Sequence, residues 1–195
     1  TEPEISSYAL GADYHKVVKD KLYELLGYIR THLPEVRGRA FVDSAPVLEK
    51  VWAARAGLGW QGKNTMLINR HMGSFMFLGE LILDVALQAD RPEIASYCGS
   101  CRKCIDACPT AALSEEGVLD ARKCISYLTI EKQGEFPEAF KGKTEGYIFG
   151  CDICQQVCPW NKQAREHRIA DFNPKAGLMD MRTADWLSLS EEEFE

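Results

Sequence analysis

The chain has 195 residues, enough for one good core or two small ones without disulfide staples, and its 46% apolar and 27% charged composition is that of an ordinary globular protein. No apolar run approaches the roughly 18 residues of a membrane span, and no basic region followed by an apolar stretch at the start argues for secretion. A formal charge of −6 excludes a globally basic surface, so a polyanionic partner would need a local basic patch.

In chain order, the first predicted element is an amphipathic helix over 14–33. Val18, Leu22, Leu25, Ile29 and Leu33 recur at three- and four-residue steps, Lys16, Lys19, Asp20, Lys21 and Glu24 face solvent, and Pro34 ends the run. RAFVD, 39–43, reads as a short strand. SAP then introduces a helix reaching Gly57, with Ser44 as its cap and Pro46 in its first turn. GLGWQGKN, 57–64, is a glycine-rich connection, TMLIN, 65–69, a strand, and FMFLGELILDVAL, 75–87, a long buried strand or strand pair. Farther on, DARKCISYLTIEK, 120–132, is a predicted helix, and 133–146 a mobile link. The tail closes on an acidic helix candidate, SEEEFE, at 190–195. The fold class expected is α+β: a mixed α/β body over 1–93, a ferredoxin-like module over 94–165 and a tail over 166–195.

There are eight cysteines. Residues 98–110, CGSCRKCIDACPT, form a complete C-x2-C-x2-C-x3-C-P run, the bacterial 4Fe-4S pattern in which the fourth cysteine ligates the other cluster. A second run, YIFGCDICQQVCPWN, has Cys151, Cys154 and Cys158 but Ile148 at the first position. The usual exchange assigns Cys98, Cys101, Cys104 and Cys158 to one cluster. The other receives Cys108, Cys151 and Cys154, and the one cysteine left over, Cys124, completes it. Each cluster with four thiolates adds about −2 in its oxidised form. A disulfide framework does not suit a chain without a secretory signal, and zinc ribbons separate their C-x2-C pairs by longer spacers.

The body carries fewer signals. Gly57, Gly59 and Gly62 have the G-x-G-x-x-G spacing, but they follow a helix and precede a strand, the wrong order for a dinucleotide site. His15, His32, His71 and His167 are scattered and read as structural or exposed. DYH, 13–15, resembles the start of the D-x-H-x-x-G signature for cobalamin coordination through histidine, but Val18 stands where that glycine is required. Asp43 ends an apolar strand beside a helix start. It reads either as a helix cap or as a carboxyl at the mouth of an apolar site, where desolvation would raise its pKa and fit it for general acid work.

FVDSAPVLEKVWAARAGLGWQGKNTMLI, GSFMFLGELIL, the first cysteine run, LDARKCISYLTIE and GCDICQQVCPWN occur in this order, and together they resemble the epoxyqueuosine reductases over about residues 8–161. In that family CISYLTIE carries the remote ligand, and the lack of a cysteine at the position of Ile148 is the family's own arrangement. The resemblance implies two 4Fe-4S clusters, a cobalamin, and reduction of epoxyqueuosine to queuosine at the wobble position of tRNA anticodons. It implies that Asp43 is the proton donor and that Asp43, Asn64, Met66, Ser74, Leu78, Leu81 and Ser126 line the cobalamin, several through backbone atoms. Lys132 and Gln133 would lie near the tRNA. A cytoplasmic monomer fed by an external electron donor is expected. The family's N-terminal segment ahead of YALGADYHK is absent from this sequence, so part of the cobalamin and substrate surface is expected to be missing. Reductive dehalogenases, with the same cofactors, and a non-catalytic electron-transfer module are the alternatives.

Overall fold

The computed structural model describes residues 3–92, 95–115 and 117–190, and among these the strands pair in twos. The long helix α1 (Tyr14–His32) is capped by Asp13, whose side chain accepts from the His15 N–H. Its buried residue is Leu26, while Leu25 and Leu33 of the predicted stripe are 47% and 45% exposed. The inward face therefore follows Val18, Leu22, Leu26 and Ile29, a four-residue row that a tally of apolar spacing blurred.

That face lies on an antiparallel pair, β2 (Gly38–Phe41) and β5 (Glu80–Leu83), in register from Gly38 with Leu83 to Phe41 with Glu80. Of the long apolar run predicted over 75–87, only these four residues are strand. Phe75, Ile82 and Leu87 are 41%, 56% and 71% exposed, so the run is not buried as expected. The predicted helix over 44–57 shrinks to α2 (Glu49–Arg55), and Leu48 rather than Ser44 stands at its N-cap. Residues 42–47 instead make successive tight turns, with N–H groups of Ser44, Ala45 and Val47 bonded to carbonyls two residues back. Pro46 disfavours helical backbone at Ala45, which prevents an earlier start.

A short hairpin follows, β3 (Trp60–Gln61) with β4 (Leu67–Ile68), shorter than the TMLIN strand predicted. A Cβ on Gly59 would lie 2.2 Å from the Ile68 carbonyl oxygen, so this glycine permits backbone to meet backbone inside the hairpin.

The two cysteine runs fold alike. Each places C-x2-C-x3-C-P around a one-turn helix, α3 (Lys103–Asp106) and α5 (Ile153–Gln156), and the two helices pack together. Between them stand β6 (Leu113–Glu115), paired with β7 (Val118–Leu119), and α4 (Ile125–Ile130). The single helix predicted over 120–132 is broken: a 3-10 turn covers Ala121–Lys123, and Cys124 between it and α4 is extended, at φ −68° and ψ 126°. Over 133–146 one 3-10 turn forms, at Glu138–Phe140.

Body and cysteine module are tied in several places. β1 (Glu4–Ile5) runs parallel to β8 (Tyr147–Phe149), and buried Asp152 accepts bonds from the hydroxyls of Ser6 and Ser7 and the Ser7 N–H. The tail contributes Phe172, against Phe77, and α6 (Thr183–Ser188). The acidic helix candidate lies, apart from Ser190, outside the described residues. Among those described, no helix is long and apolar enough to cross a membrane.

Candidate cluster and acid site

Cys98, Cys101, Cys104 and Cys158 line one cavity of about 220 Å³, together with Lys63, Asn64, Ile68, Tyr97, Lys103, Pro159 and Trp160. Trp60, Ile68 and Cys158 form the buried cluster behind it, and Trp60 meets Tyr97 and Trp160 edge-on at 4.9 and 5.0 Å. Arg70 sits 3.8 Å over the Tyr97 ring. Trp60 of the β3–β4 hairpin, with Tyr97 and Trp160 of the cysteine module, thus forms an aromatic wall beside these thiols.

The other four influence one another electrostatically, and Cys104 of the first set also acts on Cys154. Burial pushes the Cys151 thiol up to about 11, with repulsion from Cys124, Asp152 and Cys108 adding to it. Burial likewise pushes Cys154 up to about 12, helped by Cys151, Cys124, Cys104 and Cys108. For Cys108 burial acts upward, but bonds from Thr110 and nearby backbone N–H groups outweigh it and hold the thiol below its ordinary value. The extended backbone at Cys124 is what interrupts its helix, and its thiol is among those acting on Cys151 and Cys154. Among the described residues no three His, Cys, Asp or Glu side chains are gathered as on a single ion. Four thiols around one cavity and four remaining thiols match the donor type and number of two iron–sulfur cubes.

Asp43 lies elsewhere on the body, at the end of β2. Its backbone is left-handed, φ 52°, a strained conformation for a residue with a Cβ. Rather than sitting within an apolar mouth, its side chain is 60% exposed. Oδ2 accepts a 2.8 Å bond from the Tyr14 hydroxyl and lies 3.3 Å from His15 Nε2, while His15 Nδ1 is 2.8 Å from Asp13 Oδ1. His15, set aside from the sequence as structural, therefore bridges two carboxylates. Tyr14 stacks between His15 and Phe77, at 4.1 and 4.5 Å. Burial, the bond to Asp43 and the surrounding negative charges push the Tyr14 pKa up, so its hydroxyl remains a donor.

Glu49 accepts the Asp43 N–H, and beside it Glu80 has a buried Oε2 with no hydrogen-bond partner. Burial first, then the charge of the neighbouring Glu49, push Glu80 up to about 7. Two carboxylates have no donor between them, and a proton on Glu80 supplies one. Tyr14, His15 and Glu49 escaped the sequence reading. A lone charge within FMFLGELIL was the visible signal for Glu80.

The other predicted positions are dispersed. Asn64 is buried and donates to the Cys154 carbonyl, while its Oδ1 accepts the Met66 N–H. Ser74 is buried, donating to Gln155 Oε1 and bonded to Asn161. A Cβ on the adjoining Gly73, at φ 73°, would fall 2.1 Å from Asn161 Oδ1, so this loop can only be glycine where it meets the cysteine module. Met66, Leu78, Leu81 and Ser126 are half-buried. Lys132 Nζ donates to the carbonyls of Gln133 and Glu135, closing its own turn, and Gln133 is exposed. The 220 Å³ cavity takes in Asn64 but not Asp43, Met66, Ser74, Leu78, Leu81 or Ser126. Their chain neighbours are apolar and exposed: Leu48 and Trp52 beyond Asp43, Phe75 beside Ser74, Tyr127 beside Ser126. Exposed apolar side chains of this kind are what a large flat ligand would cover.

Fold and site define the class: a two-cluster iron–sulfur protein with an attached α/β body. Residues 97–161 match the family described as a 4Fe-4S double cluster binding domain, and residues 1–44 match the epoxyqueuosine reductase QueG family, DUF1730. An epoxyqueuosine reductase of Leadbetterella byssophila is 57% identical over 98% of this chain and 62% of its own length; that of Cyclobacterium marinum is 51% identical over 98% and 61%. A solved epoxyqueuosine reductase superposes with TM-score 0.92 at 35% identity, over 99% of this chain and 51% of that one. Another, bound to an epoxyqueuosine-modified tRNA stem loop, gives 0.88 at 34% identity, over 99% and 53%. A third, from Bacillus subtilis, has its catalytic aspartate loop swung out of the active site and gives 0.83 at 36%, over 89% and 45%. A reductive dehalogenase, at 22% identity and TM-score 0.53 over 85% of this chain and 25% of its own, shares the fold. The chain belongs to the epoxyqueuosine reductase family, and it spans a little over three-fifths of the length of the first two relatives.

Proposed function

We propose that this chain reduces epoxyqueuosine to queuosine at the wobble position of tRNA, with Cys98, Cys101, Cys104 and Cys158 on one 4Fe-4S cluster, Cys108, Cys124, Cys151 and Cys154 on the other, and cobalamin over the apolar face beside Asp43. The observation that carries this reading is the Asp43 constellation, an exposed carboxyl held by Tyr14 and His15, with Leu48 and Trp52 exposed a few residues along the chain. When bound, the corrin cobalt supplies the reducing electrons at the epoxide carbon. The chain's own residues do the rest. Tyr14 and His15 both address Oδ2, leaving Oδ1 to carry the proton that Asp43 gives to the departing epoxide oxygen. His15, anchored by Asp13, returns a proton to Asp43 after transfer. Glu49 fixes the loop through the Asp43 N–H, and because this loop is strained its closure depends on such bonds; the swung-out loop of the Bacillus subtilis relative supports a moving element here. Net, two electrons and two protons turn the epoxide into an alkene and water.

Asn64, Met66, Ser74, Leu78, Leu81 and Ser126 hold the corrin in this reading, with Asn64 and Ser74 fixing its floor to the cysteine module. Lys132 and Gln133 meet the tRNA, and a cytoplasmic monomer receives electrons from an external donor. The test is turnover of an epoxyqueuosine-bearing anticodon stem loop by the anaerobically reconstituted protein. Product formation that falls roughly 10²–10⁴-fold in Asp43→Asn, with iron and cobalt retained, is the expected result. Undiminished turnover in that variant removes Asp43 as the acid. Substrate binding should weaken steeply with added salt, as contacts to a polyanion do; dehalogenation of a small neutral substrate would not show that slope.

A further inference from the structure

Lys63 is a buried lysine outside both cysteine runs, 7% exposed, and its ammonium donates to the carbonyls of Gly99 and Cys101 at 2.7 and 3.0 Å. Those carbonyls belong to the turn that presents Cys98 and Cys101, and Lys63 lines the cavity bounded by Cys98, Cys101, Cys104 and Cys158. Taking an ammonium out of water costs several kcal/mol unless opposite charge or strong hydrogen bonds offset it, so a buried lysine head in a protein normally has an electrostatic reason. We propose that Lys63 sets the reduction potential of the cluster held by Cys98, Cys101, Cys104 and Cys158.

The sign follows from formal charge. A four-thiolate cube carries about −2 when oxidised and −3 after gaining one electron, so a fixed positive charge at the cavity wall favours the reduced form and raises the potential. Burial makes the field effective. Lys103 lines the same cavity but is exposed, so water and salt screen it. Lys63 reaches this position because it sits in the turn of the β3–β4 hairpin, just after Gly62, whose N–H bonds to the Met66 carbonyl. The body therefore extends a charge into the electron-transfer module and couples the two beyond simple packing.

The proposal rests on the two-cluster reading, and iron content separates the two: about four irons instead of about eight per chain would overturn that reading itself, whatever Lys63 does. With both clusters present, potentials are measured by titration with a low-potential one-electron reductant, followed by electron paramagnetic resonance. Lys63→Met should lower the midpoint of one cluster and leave the other in place as an internal control. Lys63→Arg should stay near the parent value, and Lys103→Met should shift it little. Unchanged midpoints in Lys63→Met, or equal shifts of both clusters, would overturn the assignment. Should Lys63→Met assemble only one cluster, Lys63→Gln keeps a donor for the carbonyls without the charge: a lowered midpoint supports the proposal and a parental one overturns it. Loss of that cluster from both neutral variants also overturns it, making Lys63 a clamp for the turn.

Discussion

At the first cysteine set the protein closes: Trp60, Ile68 and Cys158 are 2%, 1% and 8% exposed, and the Trp160 indole and the buried Lys63 line the cavity. At Asp43 it opens: the carboxyl is 60% exposed, and Leu48 and Trp52 beyond it are 69% and 54% exposed. Electron transfer benefits from a dry, rigid container whose charges are fixed. A group that must meet a large substrate requires an accessible rim. Body loops 62–66 and 73–74 are bonded to the cysteine module through Lys63, Asn64 and Ser74.

That contrast can be broken from either side. The largest effect is expected on the closed side: Cys124→Ser should halve the iron taken up, from about eight to about four per chain, because one cube loses its fourth thiolate. Iron analysis after reconstitution reads this directly, and full iron content would remove Cys124 from the ligand set. On the open side Asp43→Asn should cost roughly 10²–10⁴-fold in turnover, the usual range for a general acid, with iron content unchanged.

How legible these regions were in the sequence differs for a physical reason. Cluster ligands are set by a local pattern, since a short turn must aim successive sulfurs at one cube, and spacing survives in the chain as written. The proposed place of Cys124 rests on elimination, and the interrupted helix around it is something periodicity does not reveal. The Asp43 constellation is tertiary. Tyr14 and His15 approach from α1, Glu49 from α2 and Glu80 from β5, and no local spacing encodes that meeting. The same holds for secondary structure: α1 was visible because 19 residues keep one period, whereas the tight turns at 42–47 erased the start expected for α2.

Smaller effects sharpen the picture around Asp43. Tyr14→Phe removes one donor to its carboxylate and should lower turnover roughly tenfold, since a hydrogen bond to a charged group contributes about 1.5 kcal/mol. Turnover kinetics with parental iron content would check this. Smallest is a pH effect on stability. Glu80 keeps its proton up to about pH 7 in the folded chain but loses it near its ordinary value of 4.5 when unfolded. The folded state then binds more protons across that window, so this group's contribution falls as pH rises from 4.5 to 7 and is gone above it. Urea midpoints across the window should drop with pH, and Glu80→Gln, neutral throughout, should flatten the decline.

The closed and open sides belong to one enzyme only if the same chain holds both kinds of cofactor. The direct measurement is anaerobic reconstitution with iron, sulfide and cobalamin, followed by metal analysis of the desalted protein. About eight irons and about one cobalt per chain are predicted. Eight irons without cobalt would contradict the role given to the open face, and four or fewer would contradict the pairing of the cysteines.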